Sequence, residues 1–182
     1  MSVTHTAAIT YNQSFTLPEN QFEEIVRGES RIMPLASWPH DALLRRLEKI
    51  FEAQLDEKYE VCGPGVGLGI SKDPFTYRIP DKMVFPAGVR RRMDNNLYVW
   101  ETPVLIAECL SPANRKGPVE ELLEDYRSIR VPEVWLLKPE ERVCEVYGGE
   151  HLGTMFTQTD GIVSLGSLAQ VPLAMLWKAF QG

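Results

Sequence analysis

The sequence predicts a mixed α/β domain, and three observations carry that expectation. A leucine-rich stripe at helical spacing occupies residues 43–55, a near-continuous apolar run occupies residues 103–107, and an amphipathic pattern over 119–129 leads from that run into a further apolar strand at 133–137. The 182 residues, 44 % hydrophobic and 24 % charged, suit one globular unit with a single well-buried interior. Residues 1–16, rich in Thr, Ser and Ala without a period, are expected to form a flexible N-terminal arm, and residues 17–182 a single domain.

Taken in order, Glu19, Phe22, Ile25 and Val26 fall at helical spacing beyond Pro18 and stop at Gly28, which predicts a short helix with a C-terminal glycine. Residues 29–33 look extended. Ser37 can cap the next helix, with Trp38 and Pro39 in its first turn and Leu43, Leu44, Leu47, Ile50, Phe51 and Leu55 as its buried stripe. Residues 61–70 and 75–85 read as two strands, the second containing Tyr77 and Ile79. Gly63, Gly65, Gly67 and Gly69 alternate there, but no Lys-Ser/Thr pair follows at phosphate-loop spacing, so they read as thin strand positions that permit close packing. Residues 86–96, with Pro, Gly, three arginines and Asn-Asn, predict a loop or hairpin tip.

Residues 99–110 resume as a strand whose unbroken hydrophobicity predicts burial on both faces. Pro118 opens a helix with Val119, Leu122, Leu123, Tyr126 and Ile129 inward and Glu120, Glu121, Glu124 and Asp125 toward water. With the strand at 133–137 this makes a β-α-β unit, for which a right-handed parallel crossover is expected. Residues 142–147, 151–157 and 162–165 read as short strands near the sheet edge, and 172–180 as a closing helix.

The formal charge of −6, from 19 Lys plus Arg against 25 Asp plus Glu, repels polyanions, so any nucleic-acid contact needs a local basic patch such as Arg90, Arg91 and Arg92. Cys62, Cys109 and Cys144 are dispersed and cannot all pair, which fits a reducing compartment. No apolar run approaches the roughly 20 residues that span a bilayer, and residues 1–10 lack a basic segment followed by an apolar one, so the expectation is a cytoplasmic protein with no membrane partner. His5, His40 and His151 are too scattered for a zinc site, and His40 reads as a first-turn surface residue. Ser111 lacks the G-x-S-x-G context of a serine hydrolase.

Two carboxylates stand out: Asp81, after Pro80 at the end of an extended run, and Glu108, within the buried strand. A carboxylate in an apolar strand is costly unless it is paired, hydrogen-bonded or bound to a cation. Acids from adjacent strands could converge on one hard divalent ion such as Mg2+ or Mn2+. Such an ion activates water and neutralises charge building on a phosphodiester.

The text Arg78-Ile79-Pro80-Asp81-Lys82-Met83-Val84-Phe85, then Pro103-Val104-Leu105-Ile106-Ala107-Glu108-Cys109-Leu110-Ser111-Pro112, then Asp125-Tyr126-Arg127 and Val131-Pro132-Glu133-Val134-Trp135-Leu136-Leu137, resembles the Uma family of restriction endonucleases in the PD-(D/E)XK nuclease superfamily. Glu24 resembles that family's N-terminal acidic position. The resemblance covers residues 18–180, and the combination of E-x-x-S-P with V-P-E-V-W is what makes it specific. It implies a restriction-endonuclease-like mixed β-sheet core flanked by helices. It also implies an endonuclease that hydrolyses DNA with Mg2+ (or Mn2+) held by Glu24, Asp81 and Glu108, and a homodimer would supply two such sites for two strands.

The sequence departs from the family at its lysine. The position four residues before Tyr126 is Leu122, the superfamily's other lysine position, two after Glu108, is Leu110, and an aspartate often found earlier in the helix corresponds to Pro118. Lys116, just before the helix, is the candidate catalytic replacement, whereas Lys82 is expected to point to the sheet face opposite Asp81. Losing one preorganised group of this kind typically costs about 10² to 10³ in rate. The competing expectation is therefore a catalytically inactive nuclease fold serving as a nucleic-acid-binding or protein-interaction module.

Overall fold

The computed structural model describes residues 8–16, 23–33, 36–92, 97–110 and 119–180. Its helices are α1 (Tyr11–Ser14), α2 (Trp38–Gln54), α3 (Val119–Ser128) and α4 (Leu173–Trp177). Its strands are β1 (Glu23–Val26), β2 (Glu29–Ile32), β3 (Tyr59–Cys62), β4 (Gly67–Lys72), β5 (Phe75–Arg78), β6 (Lys82–Pro86), β7 (Tyr98–Val99), β8 (Leu105–Cys109), β9 (Val134–Lys138), β10 (Val143–Gly148), β11 (Thr154–Gln158), β12 (Ile162–Leu165) and β13 (Ala169–Pro172). A six-stranded sheet runs β11-β10-β9-β8-β6-β3, a five-stranded sheet runs β2-β1-β5-β4-β7, and β12 and β13 form a separate hairpin.

The β-α-β unit is present: β8 pairs with β9 in parallel, Ile106 opposite Val134 and Glu108 opposite Leu136, with α3 between them in the chain. Side chains alternate across these strands. Val84, Leu105, Ala107, Trp135 and Leu137 enter a core closed by Leu43, Leu44, Leu47, Ile50 and Phe51 of α2 and by α4. Met83, Phe85, Ile106, Val134 and Leu136 enter a second core with Leu123 and Tyr126 of α3 and with Leu68 and Val99 of the smaller sheet. Burial on both faces is why these strands read as unbroken apolar runs. The start of α2 follows its expected cap, with the Ser37 hydroxyl accepting from the His40 N–H at 3.4 Å and Pro39 in the first turn.

Several expectations are corrected. The helix expected up to Gly28 is instead strand β1, antiparallel to β2 and to β5, with residues 17–22 outside the described residues. Glu24, Ile25 and Val26 are all buried in succession, which a one-sided helical stripe does not allow and a strand covered on both faces does. The arm is packed from Ala8 onward. Thr10 caps α1, the Ile9 N–H donates to the Gly28 carbonyl at 2.8 Å, and Tyr11 and Phe15 sit against Phe75 and Tyr98. The strand expected over 99–110 divides between the two sheets as β7 and β8. Close packing does explain the alternating glycines at Gly67 and Gly69, where an added Cβ would lie 2.8 Å from the Tyr98 ring and 2.5 Å from the Trp100 ring.

At one border of the large sheet, β11 carries no charged residue and leaves Met155 and Phe156 each 51 % exposed. No described helix is long and apolar enough to cross a membrane.

Candidate active site

Antiparallel pairing of β6 with β8 sets Lys82 opposite Ala107, and the next step of that register brings Asp81 opposite Glu108. The two acids interlock through the backbone: the Asp81 N–H donates to Glu108 Oε2 at 3.3 Å, and the Cys109 N–H donates to Asp81 Oδ2 at 2.8 Å. The Tyr126 hydroxyl, fully buried on α3, donates to Glu108 Oε1. Asp81 itself, β8 and α3 thus fix both oxygens of Glu108 and one of Asp81.

The electrostatics of this pair are strained. Burial, followed by the charges of Asp81 and Glu24, pushes the Glu108 carboxyl well above the usual carboxylate range, against the donated Tyr126 hydroxyl. Burial, followed by the charges of Glu108 and Glu24, drives the Tyr126 phenol well above its ordinary value, so it stays a donor. Burial, with Asp81 and Glu108, also raises the Cys109 thiol, which removes it as a nucleophile. His40 is not a surface residue. Its side chain is 12 % exposed and Nε2 lies 3.2 Å from Asp81 Oδ2, at ion-pair distance without the alignment of a hydrogen bond. Burial pulls the imidazole down, but Asp81 and Asp41 outweigh it and leave it raised.

Glu24 is held differently. Opposite Arg78 in the β1–β5 register, it accepts from the Ile79 N–H at Oε1 (2.8 Å) and from Arg78 Nη1 at Oε2 (3.0 Å). Arg78, 5 % exposed, also donates through Nε to Asp125 (2.8 Å) and through Nη2 to Glu121 (3.0 Å). Burial alone would lower the Arg78 guanidinium, but Glu24 and Asp125 raise it above its ordinary value, so it is a permanent cation. Glu121 and Asp125 therefore turn inward, contrary to the expectation that they face water, because Arg78 offers a buried charge to which both can bond. Arg31 and Arg27 complete the cluster from outside, 2.7 and 3.2 Å from Glu121.

The lysine slots are apolar: Leu110 is buried and Leu122 packs against the second core. Lys116 and Pro118 lie outside the described residues. Lys82 faces α2, where its Nζ meets Glu48 at 2.9 Å. Arg90, Arg91 and Arg92 form an exposed turn beyond the end of β6, with Arg92 paired to Glu101. The Arg90 side chain reaches back to the Cys62 thiol on β3, a residue paired opposite Met83.

Among the described residues no group of three or more His, Cys, Asp or Glu gathers closely enough to hold a metal ion. Asp81 and Glu108 nevertheless fit the mode in which a hard dication takes one or two carboxylates and keeps several waters. A cation would also relieve the mutual repulsion that raises Glu108. Burial and that repulsion together have a measurable consequence. A carboxyl raised by folding contributes stability below the unfolded carboxylate range that is lost as pH climbs through the folded value. Glu108→Gln is expected to melt above the parent at pH 8 and level with it at pH 4, each 1 kcal/mol appearing as about 2–4 °C; parallel melting curves across that range would contradict the strain.

A mixed sheet whose β-α-β unit sets a strand acid opposite a Pro-Asp defines a restriction-endonuclease-like nuclease fold. The crystal structure of a putative nuclease belonging to DUF820 from Anabaena variabilis shares it, with a TM-score of 0.78 and 18 % identity over 94 % of this chain and 98 % of that one. The Uma2 family, described as "Putative restriction endonuclease", matches residues 11–174, and the chain belongs to that family. No curated protein matches the sequence.

Proposed function

We propose that the chain is a divalent-cation-dependent nuclease acting on DNA phosphodiester bonds at Asp81 and Glu108. The observation that carries this reading is the interlocked acidic pair, Asp81 just before β6 and Glu108 on β8, with Glu108 half-buried, repelled by Asp81 and without a basic partner among the described residues. Bound between these acids, Mg2+ or Mn2+ would supply a polarised water and charge neutralisation at the phosphate. The chain's own residues do the rest. The Cys109 N–H and His40 orient Asp81, and the Asp81 N–H and the Tyr126 hydroxyl orient Glu108. No described lysine stands beside the pair, so turnover is slow for the class.

Incubated with supercoiled plasmid and Mn2+ or Mg2+, the protein is expected to nick, and Asp81→Ala to lose about 10²-fold or more of the rate. Cleavage that survives in Asp81→Ala overturns the assignment. A second reading, a nucleic-acid-binding module without catalysis, is favoured by Leu110 and Leu122 in both lysine positions. It requires DNA retention on filters with no nicking in either metal.

A further inference from the structure

Glu24 accepts from the N–H of Ile79, two residues before Asp81, whose own N–H donates to Glu108, yet Glu24 differs from the other two acids in its partners. Both its oxygens are engaged, one by the Ile79 N–H and one by a buried guanidinium. All three nitrogens of Arg78 are in turn engaged by acids, Nε by Asp125, Nη1 by Glu24 and Nη2 by Glu121 and Asp125. Arg78 therefore ties β1 and β5 to α3, the helix whose Tyr126 holds Glu108, and it stands three residues before Asp81. A carboxylate with its charge compensated by a bidentate-capable guanidinium is a poor ligand for a dication, because the metal must displace a desolvated ion pair to reach it.

We propose that Arg78 is a positioning residue that withholds Glu24 from the cation, so that Asp81 and Glu108 alone bind it. This rests on the cation site proposed above. It makes a prediction of unusual sign: disrupting Arg78 frees a third acid and strengthens cation binding. A merely structural residue, when removed, loosens the site and weakens binding.

The test is calorimetric titration of the full chain with Mn2+, without DNA. Arg78→Met is expected to bind about tenfold more tightly than the parent, since the number of carboxylate ligands sets dication affinity. The double variant Arg78→Met with Glu24→Gln should return to within about threefold of the parent, and Glu24→Gln alone should also stay within about threefold. Weaker or unchanged binding by a folded Arg78→Met overturns the proposal. If circular dichroism shows that variant unfolded, Glu24→Gln decides: a tenfold loss of Mn2+ affinity makes Glu24 a ligand and refutes the role given to Arg78. If the parent takes up no Mn2+, or Asp81→Ala binds as the parent does, the cation site itself fails and this inference with it. Loss of affinity in Glu24→Gln as well as in Asp81→Ala keeps the cation site and refutes only the role given to Arg78.

Discussion

Replacing Leu122 by lysine is expected to raise Mn2+-dependent plasmid nicking about 10²-fold, the reverse of the cost of losing one preorganised charged group. Leu122 lies one turn before Tyr126, and residues four apart share a helix face. Tyr126 touches Glu108, so a lysine at 122 would extend its ammonium alongside the acidic pair. The partial burial of Leu122 helps here, because a lysine stem can cover the apolar surface that leucine covers now while its head reaches the polar end of the sheet. The comparison is of initial rates for Leu122→Lys, the parent, and Leu122→Lys combined with Asp81→Ala, which should be silent. An unchanged rate in a folded Leu122→Lys that still binds Mn2+ would mean that a missing cation does not limit the reaction.

Trp135→Ala is expected to destabilise the fold by about 3–5 kcal/mol in urea titrations, the range for large aromatic truncations in a core. Trp135 is fully buried on β9, in the middle of the six-stranded sheet, with its ring 5.8 Å from that of Phe51 on α2. It also donates its indole N–H to Glu133 at 2.5 Å, countering the burial that raises that carboxyl. Truncation would open the α2 side of the core and strip Glu133 of its donor together. A loss below about 1 kcal/mol would show that the sheet closes over the gap, which the close packing of interiors argues against.

What the sequence revealed followed the reach of each pattern. The β-α-β unit and α2 were legible because their apolar residues repeat locally and are buried by elements next to them, and Asp81 and Glu108 were legible because an acid beside an apolar strand is conspicuous. The charged cluster was not. Glu24 reads as helical and exposed until Arg78, 54 residues later, supplies its partner, and Glu121 and Asp125 read as solvated for the same reason. One signal was available: Glu121 and Asp125 lie four apart on one helix face, a like-charge pairing that helices avoid unless a cation sits between them. His40 was misplaced because a first-turn position reads as surface, whereas the turn carries the imidazole down to within 3.2 Å of Asp81.

The uncharged border strand β11 has a consequence for the behaviour of the protein in bulk. Its outer main-chain groups and the half-open Met155 and Phe156 have none of the lysines or prolines that usually guard such a border. Colloidal stability therefore falls to the long-range repulsion of a −6 particle. As acidity approaches the isoelectric point near 5.2 that repulsion fades, and strand-to-strand adhesion through 154–158 becomes the route to precipitation.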